Sequence, residues 1–399
     1  MKPVYIVSWL FALAISFVSC DDWLDKTPKD RLYPDVYFKT EDELRLFTNQ
    51  FYNNLVPSAV DIYSESSDLI VKSDLMLEMS GQRIIPDEGN GWNFTALRDI
   101  NFYLQYSHNC TEVNARNRYD GVARFFRAYF YFEKVKRYGD IPWYDKALDS
   151  DDPELYKARD SREFVMQKML EDLDFAIANL PKTKNAYVLT RWTALALKSR
   201  VCLFEGTFRK YHGLEDCEKY LNACVSASET FMNESGYTLY KSGSTPYRDL
   251  FASINLQADE VIFGRDYEAS LSVLHNVQNY ENSTTMGRPG MNKKIVNSYL
   301  MADGSRFTDK AGYETMTFDQ ECQNRDPRLA QTIRTPGYTR IGSTKKEAPN
   351  LAYTMTGYHL IKYSMTANYD EYNKSCNDIP LFRTAEVYLN FAEAKAELG

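Results

Sequence analysis

Hydrophobic residues recur at intervals of three and four along most of this 399-residue chain, a spacing that places them on one side of an α-helix. The clearest stripe lies between Asn114 and Tyr138, and other stripes follow Thr40 and Thr190. Glu43 stands three residues after Thr40, which is the spacing of a capping box at the start of a helix. The pattern therefore predicts a mainly helical protein.

Glycine, proline and acidic residues predict where these helices begin and end. Gly139 and Pro142 follow the long stripe and predict its end. Asp160 and Glu163 predict the cap of the next helix, because acidic side chains favour a helix N-terminus. Gly206 predicts the end of the helix after that.

The hydrophobic pattern divides the chain into two kinds of region. Residues 160–231 predict stacked helical pairs of a degenerate tetratricopeptide type. Residues 235–292 predict short β-strands, such as Val261–Phe263, between loops. A helical pattern returns at residue 379 and is expected to run unbroken to residue 399. The expected fold is mainly α, with tetratricopeptide-like helical pairs and an irregular, loop-rich, β-containing C-terminal half.

The N-terminus has the pattern of a secretion signal. Lys2 precedes an apolar run at residues 4–18 that is too short to span a bilayer. Ser19 and Cys20 close this run as in a bacterial lipobox, in which the cysteine sulfur receives a diacylglycerol. We therefore predict a signal peptide at residues 1–19 and a lipid anchor at Cys20.

Composition and motifs narrow the possible functions. The net charge of −8 argues against nucleic acid as a partner, because phosphate recognition depends on clustered lysine and arginine. The four histidines and seven cysteines lack the spacing of metal ligands, so neither a metal nor another cofactor is predicted. Because common catalytic motifs are also missing, no enzyme is predicted. The 55 acidic residues nevertheless leave open the two carboxylates of a glycoside hydrolase.

A candidate ligand site lies at Trp92, which is flanked by small polar residues. An indole ring can stack on the face of a sugar, while the neighbouring amide of Asn93 can bond sugar hydroxyls. The 30 tyrosines add side chains of the same kind, with an apolar face and a hydroxyl. The alternative is that Trp92 packs in the interior.

Several segments together resemble the SusD/RagB family of nutrient-uptake lipoproteins. The long helical stripe mixes charged and aromatic residues and is followed by Gly-Asp-Ile-Pro, while a second block near the C-terminus contains Ala-Glu-Ala. The lipobox is followed by a polar tether at Trp23–Pro28. The matching segments come after it in the family's order, and they are Arg124–Phe132, Arg137–Pro142, Ala258–Phe263, Asn324–Arg328 and Leu381–Ala394. Their mixture of charged and aromatic residues is typical of helix packing, so we expect these blocks to be structural.

This resemblance implies a surface lipoprotein of the outer membrane that captures an oligosaccharide or polysaccharide. Its partner would be a SusC-type TonB-dependent transporter, to which it delivers the glycan. The implied domains are a helical region at residues 20–235 and a C-terminal RagB/SusD region at residues 236–399. Two alternatives remain, namely a helical-repeat lipoprotein that binds a peptide or protein, and a secreted glycoside hydrolase.

The resemblance also places candidate ligand contacts in the irregular middle region, where relatives carry aromatic contacts. These candidates are Tyr267, Tyr280, Asn282 and Arg288. Family members normally continue past the Ala-Glu-Ala helix, so we expect the C-terminal region to be truncated. The final helix is expected to be buried through Val387, Leu389, Phe391, Ala392 and Ala396.

Overall fold

The computed structural model describes residues 37–62, 68–86, 89 and 91–399. The predicted signal peptide and the lipid-anchor Cys20 lie outside these residues. Within them, 3-10 turns such as Pro153–Tyr156 connect several helices. The α-helices are α1 (Glu41–Leu55), α2 (Leu77–Ser80), α3 (Thr95–Tyr106), α4 (Val113–Tyr138), α5 (Arg162–Asn179), α6 (Arg191–Tyr211), α7 (Cys217–Glu234), α8 (Pro246–Ala252), α9 (Val277–Glu281), α10 (Lys293–Ser298), α11 (Phe318–Glu321) and α12 (Thr384–Leu398).

The described strands form two small antiparallel pairs. Strand β1 (Ile70–Val71) pairs with β3 (Gly290–Met291), and β2 (Val261–Arg265) pairs with β4 (Ile379–Arg383). The predicted strand at residues 261–263 is confirmed. The second pair brings the C-terminal part of the chain back beside the helical part, which positions α12.

Local signals correctly predicted the ends of several helices. The Thr40 side chain accepts a hydrogen bond from Glu43 N, and the Glu43 carboxylate accepts one from Thr40 N, which completes a capping box. Thr190 forms a similar box with Thr193 at the start of α6. Helix α4 ends at Gly139, where φ is +72°. These signals depend on neighbouring residues alone, so they can be read from the sequence.

The predicted cap of α5 was wrong by one residue. Ser161 is the N-cap, and its hydroxyl accepts a hydrogen bond from Phe164 N at 3.3 Å. Asp160 instead accepts a hydrogen bond from Trp143 N at 2.7 Å. The Glu163 carboxylate forms ion pairs with basic residues of α6 and α7. Both acidic side chains therefore join separate segments rather than cap the helix.

The prediction that Gly206 ends a helix was also wrong. Helix α6 continues through Gly206 to Tyr211. A Cβ atom at Gly206 would lie 2.7 Å from the side chain of Leu221 on α7, closer than packed atoms approach. Gly206 therefore permits the close approach of two helices, which a single sequence cannot distinguish from a helix end.

The C-terminal helical pattern does not run unbroken from residue 379. Residues 379–383 form β4, in which Ile379 and Phe382 are buried, and α12 begins only at Thr384. The prediction failed because the pairing partner of β4 lies far away in the sequence. Thr384 N donates to Glu260 O at 3.0 Å and fixes the transition from strand to helix.

The long helices form the tetratricopeptide-like body predicted from the sequence. Helix α4 packs against α1, α3 and α5, and α6 packs against α5 and α7. The core between α1, α3 and α4 is aromatic, since the ring of Phe51 lies 6.2 Å from that of Tyr103 and 6.1 Å from that of Phe126. The protein is therefore mainly helical, as expected.

Helix α12 covers α6 and α7, but its buried face differs from the prediction. Val387 and Ala394 are fully buried, as an amphipathic helix requires. Leu389, in contrast, is 69% exposed, and Ala392 and Ala396 are also exposed. A sequence stripe identifies hydrophobic residues, but the direction in which α12 leaves β4 decides which of them face the core.

Candidate functional site

Trp92 lies in a tight turn that precedes α3. Gly91 has φ +87°, and a Cβ atom there would lie 3.2 Å from the hydroxyl of Tyr138, so glycine suits this position. Trp92 N donates to Gly89 O at 3.0 Å, and the Lys134 ammonium donates to Gly91 O. Burial and the neighbouring Arg137 lower the pKa of Lys134. The turn is therefore held against the C-terminal end of α4.

The indole of Trp92 is neither fully buried nor isolated. It is 40% exposed and makes edge contacts with Phe94 and Tyr138, at ring-centroid distances of 5.3 and 4.9 Å. The guanidinium of Arg159 lies over the indole, 5.0 Å from its centroid. Asn93 is exposed, and its Oδ1 accepts a hydrogen bond from Thr95 N at 2.8 Å. These contacts orient the indole at the surface.

Trp92 lines a cavity of about 590 Å³, within the range of small-molecule sites. Its walls come from the start of α3, the loop after α4 and the segment that leads to α5. The lining residues are Trp92, Phe94, Thr95, Leu97, Arg98, Asn101, Pro142, Tyr144, Lys146, Leu148, Leu155, Lys157, Ala158 and Arg159. Three aromatic side chains and several polar ones therefore face one space.

The loop that forms one wall is fixed by buried hydrogen bonds. The Asn101 amide nitrogen donates to Tyr144 O at 2.8 Å, and Tyr144 N donates to the Tyr131 hydroxyl at 2.6 Å. The rings of Tyr131 and Trp143 stack with their centroids 4.2 Å apart. Burial and the nearby Asp160 and Glu154 raise the pKa of the Tyr144 phenol, which remains a neutral hydroxyl near pH 7.

A buried ion pair supports this wall from behind. Arg127 of α4 donates two hydrogen bonds to Asp172 of α5, at 2.6 and 2.7 Å, and a third to Asn101 Oδ1 at 3.2 Å. Burial lowers the pKa of Arg127, but the bonds to Asp172 outweigh this effect, so the pKa is raised overall. The charged and aromatic block of α4 is therefore structural, as predicted, and it also positions the wall of the cavity.

Four basic side chains line the cavity. The Lys146 ammonium lies 3.0 Å from a Glu154 carboxylate oxygen. The Lys157 ammonium lies 2.9 Å from Asp160 and donates to Trp143 O. Arg98 donates to Leu148 O at 3.1 Å and lies 3.8 Å from Asp149, while Arg159 contacts the Trp92 ring. None of the described lining residues is acidic.

The candidates predicted in the middle region lie elsewhere, and none of them lines this cavity. Tyr267 is buried, and its hydroxyl accepts a hydrogen bond from Ala59 N at 2.8 Å. Burial raises the pKa of this phenol. Tyr280 is also buried in α9.

Asn282 and Arg288 hold neighbouring segments together. Asn282 Nδ2 donates to the Ser364 hydroxyl at 2.9 Å, and Asn282 Oδ1 accepts hydrogen bonds from two arginines. The Arg288 guanidinium donates to Leu351 O at 2.8 Å. Ligand binding by these four residues stays a prediction.

Sequence reasoning missed most of the cavity. It identified Trp92 but not Phe94, Arg98, Tyr144 or the basic residues 146, 157 and 159. The second candidate in this turn, Asn93, is not among the lining residues. A signal was present, because residues 142–159 combine aromatic and basic residues in a loop directly after the Gly-Asp-Ile-Pro turn. Such loops on a rigid scaffold commonly carry binding residues.

Each of the four histidines forms a hydrogen bond with a backbone carbonyl oxygen. His275 and His359 are buried, and burial lowers the pKa of each to about 4. Over the described part of the chain, no three histidine, cysteine or acidic side chains converge in the manner of a metal site. The helices in that part also include none with the length and hydrophobicity required to cross a membrane.

Family comparisons match two parts of the chain. The model of the SusD family matches residues 250–399. A second model, described as starch-binding associating with outer membrane, matches residues 81–191. The second match contains every residue that lines the Trp92 cavity.

Individual relatives agree with these matches. SusD-like protein P2 of Formosa agariphila is 25% identical over 97% of this chain and 76% of its own length. SusD-like protein P38 of the same organism is 25% identical over 51% of this chain and 43% of its own length.

Solved structures share the fold. A SusD-like protein of Bacteroides fragilis superposes with a TM-score of 0.73 and 21% identity, covering 94% of this chain and 78% of the other. A SusD-like carbohydrate-binding protein of the same species has a TM-score of 0.72 and 18% identity, and the match covers 90% of this chain and 75% of the other. A structure with a xylogluco-oligosaccharide has a TM-score of 0.60 and 17% identity, and the match covers 88% of this chain and 70% of the other.

Proposed function

Because the chain belongs to the SusD/RagB family, we propose that it is a carbohydrate-binding protein whose ligand site is the cavity beside Trp92. The observation that carries this proposal is the position of Trp92, whose partly exposed indole forms a wall of a cavity of about 590 Å³. An exposed indole held in place by Phe94 and Tyr138 offers a flat apolar face without an ordering cost on binding.

The other cavity walls supply the second requirement of sugar recognition, which is directional hydrogen bonding. Arg98, Lys157 and Arg159 are donors, and the Tyr144 hydroxyl, which donates to Leu155 O at 3.3 Å, can accept a hydrogen bond. These side chains project from segments fixed by the buried bonds of Asn101 and Tyr131. A ligand would therefore meet a largely preformed site.

The protein would bind its ligand without chemical change. Most glycoside hydrolases require two carboxylates that flank the scissile bond. Among the described residues that line the cavity there is no aspartate or glutamate, so a hydrolase mechanism has no support at this position.

In a cell, the protein would act as a lipid-anchored receptor on the outer face of the outer membrane. Its Cys20 would carry the anchor, and residues 20–235 and 236–399 would form the two regions of the family fold. The bound glycan would then pass to a SusC-type TonB-dependent transporter. The family membership supports this role, and the lipobox at Cys20 supports the anchor.

The proposal is tested by replacing Trp92 with alanine and measuring the affinity for a panel of oligosaccharides by isothermal titration calorimetry. Binding should weaken by roughly 1–3 kcal/mol, the range found for stacking of nucleobases on aromatic side chains. Tyr372→Ala is a matched control, because Tyr372 is an exposed aromatic residue that does not line the cavity. Equal affinities for Trp92→Ala and the unmodified protein would contradict the proposal.

A further inference from the structure

The cavity beside Trp92 has an unusual charge for this protein. The whole chain has a net charge of −8, yet the described lining contains four basic side chains and no acidic ones. The four are Arg98, Lys146, Lys157 and Arg159. Basic side chains placed close together repel one another, so their partners around the cavity decide how much positive charge remains there.

Three of these cations have carboxylate partners around the cavity. Lys146 pairs with Glu154, Lys157 with Asp160, and Arg98 lies 3.8 Å from Asp149. These carboxylates do not line the cavity. Each of these three cations therefore has a counter-charge close to the cavity, on a residue that does not line it.

Arg159 differs from the other three. It is exposed, and no described carboxylate lies within ion-pair distance of its guanidinium. Its contact is with the face of Trp92, at 5.0 Å from the ring centroid. A guanidinium in this position places a charge and several N–H donors beside the surface on which a sugar ring would stack.

We infer that this cavity selects an acidic sugar, one that carries a carboxylate or a sulfate, rather than a neutral one. The sugar ring would stack on Trp92, and its anionic group would accept hydrogen bonds from Arg159. This inference rests on the proposed function, because it concerns the ligand of the same site. Guanidinium groups bind carboxylates and sulfates through paired N–H donors, which suits both sources of the charge.

The overall charge of the protein sharpens this selection. A chain with net charge −8 repels polyanions at long range, so the attraction required by this inference would act within the cavity, at distances shorter than the screening length of about 8 Å at physiological salt.

The test uses matched pairs of oligosaccharides with the full chain. The first pair is oligogalacturonate and its methyl ester, which share a backbone but differ in the carboxylate charge. The second pair is a sulfated galactan oligosaccharide and its desulfated form. At least one acidic member should bind about tenfold more tightly than its neutral partner, with an affinity that falls as salt is raised. If no acidic member binds more tightly than its neutral partner, the inference is wrong.

A charge-removing variant assigns the selection to Arg159. Arg159→Gln should weaken binding of the preferred acidic ligand about fivefold to tenfold more than it weakens binding of the neutral partner. Arg45→Gln is the matched control, because Arg45 is an exposed arginine on α1 that does not line the cavity. An equal loss for acidic and neutral ligands in Arg159→Gln would overturn the inference.

The two proposals fail in different ways. If Trp92→Ala weakens the acidic and neutral ligands alike, and the two bind equally well, the proposed carbohydrate site stands and the acidic selection does not. If an acidic ligand binds with an affinity that Trp92→Ala leaves unchanged, the site itself is wrong.

Discussion

Replacing Arg127 with methionine should destabilise the protein strongly, because it leaves a buried carboxylate without its main partner. Arg127 and Asp172 are only 7% and 2% exposed, and they share two hydrogen bonds of 2.6 and 2.7 Å. After the substitution, the nearest cation to Asp172 is Arg124, at 3.6 Å. Removal of one partner of a buried ion pair costs about 3–5 kcal/mol, so Arg127→Met should lower the free energy of unfolding by that amount.

A double variant separates the ion pair from simple loss of packing. Adding Asp172→Leu removes the unpaired charge, so the double variant should regain most of the stability that Arg127→Met loses. Arg45→Gln serves as the control, because its pair with Asp42 is exposed and should contribute less than about 1 kcal/mol. Urea unfolding followed by circular dichroism measures all these free energies.

The reasoning would be refuted by a small effect of the single substitution. If the free energy of unfolding of Arg127→Met lies within about 1 kcal/mol of that of the unmodified protein, the buried pair does not support the helical body as described. If the double variant is as unstable as Arg127→Met, the loss comes from packing and not from the uncompensated carboxylate. The double-mutant cycle therefore distinguishes the two causes.

Three further predictions follow from particular residues. Gly206→Ala should lower stability by about 1–3 kcal/mol, because its Cβ would lie 2.7 Å from Leu221; an unchanged melting temperature would contradict the helix contact. Burial lowers the pKa of His275 to about 4, so folding favours its neutral form. Its contribution to the free energy of unfolding is therefore fully present above pH 6.5 and is lost as pH falls toward 4. His275→Gln should therefore reduce the acid-induced loss of stability by up to about 3 kcal/mol, measured by urea unfolding at pH 7 and 4, and an identical pH profile would count against it. Cys20→Ala should abolish membrane association, and unchanged detergent-phase partitioning would contradict the proposed anchor.

The parts of the fold that sequence predicted well depend on short-range signals. Thr40 and Glu43 cap a helix through contacts between neighbouring residues, and the spacing of hydrophobic residues predicts α4 as a helix. The parts that failed depend on distant partners. Gly206 is explained only by Leu221 on another helix, and residues 379–383 form a strand only because they pair with β2.

The candidate site shows the same division. Trp92 stands out in the sequence because an indole among small polar residues is uncommon, and it does line the cavity. Tyr144 and Arg159 do not stand out, since they reach the cavity only when the loop after α4 folds back against α3. Tyr267 and Asn282 were candidates through the family resemblance, and the structure places both in the interior. Burial, which distinguishes these positions from Trp92, is a property of the folded chain.

The central claim is that a glycan binds beside Trp92, and a crystal structure of the full chain with a bound oligosaccharide tests it most directly. The account predicts a sugar ring stacked on the Trp92 indole, with polar groups of the sugar within hydrogen-bond distance of Arg159 or Tyr144. Density for the oligosaccharide at another surface, with the cavity beside Trp92 unchanged, would contradict it.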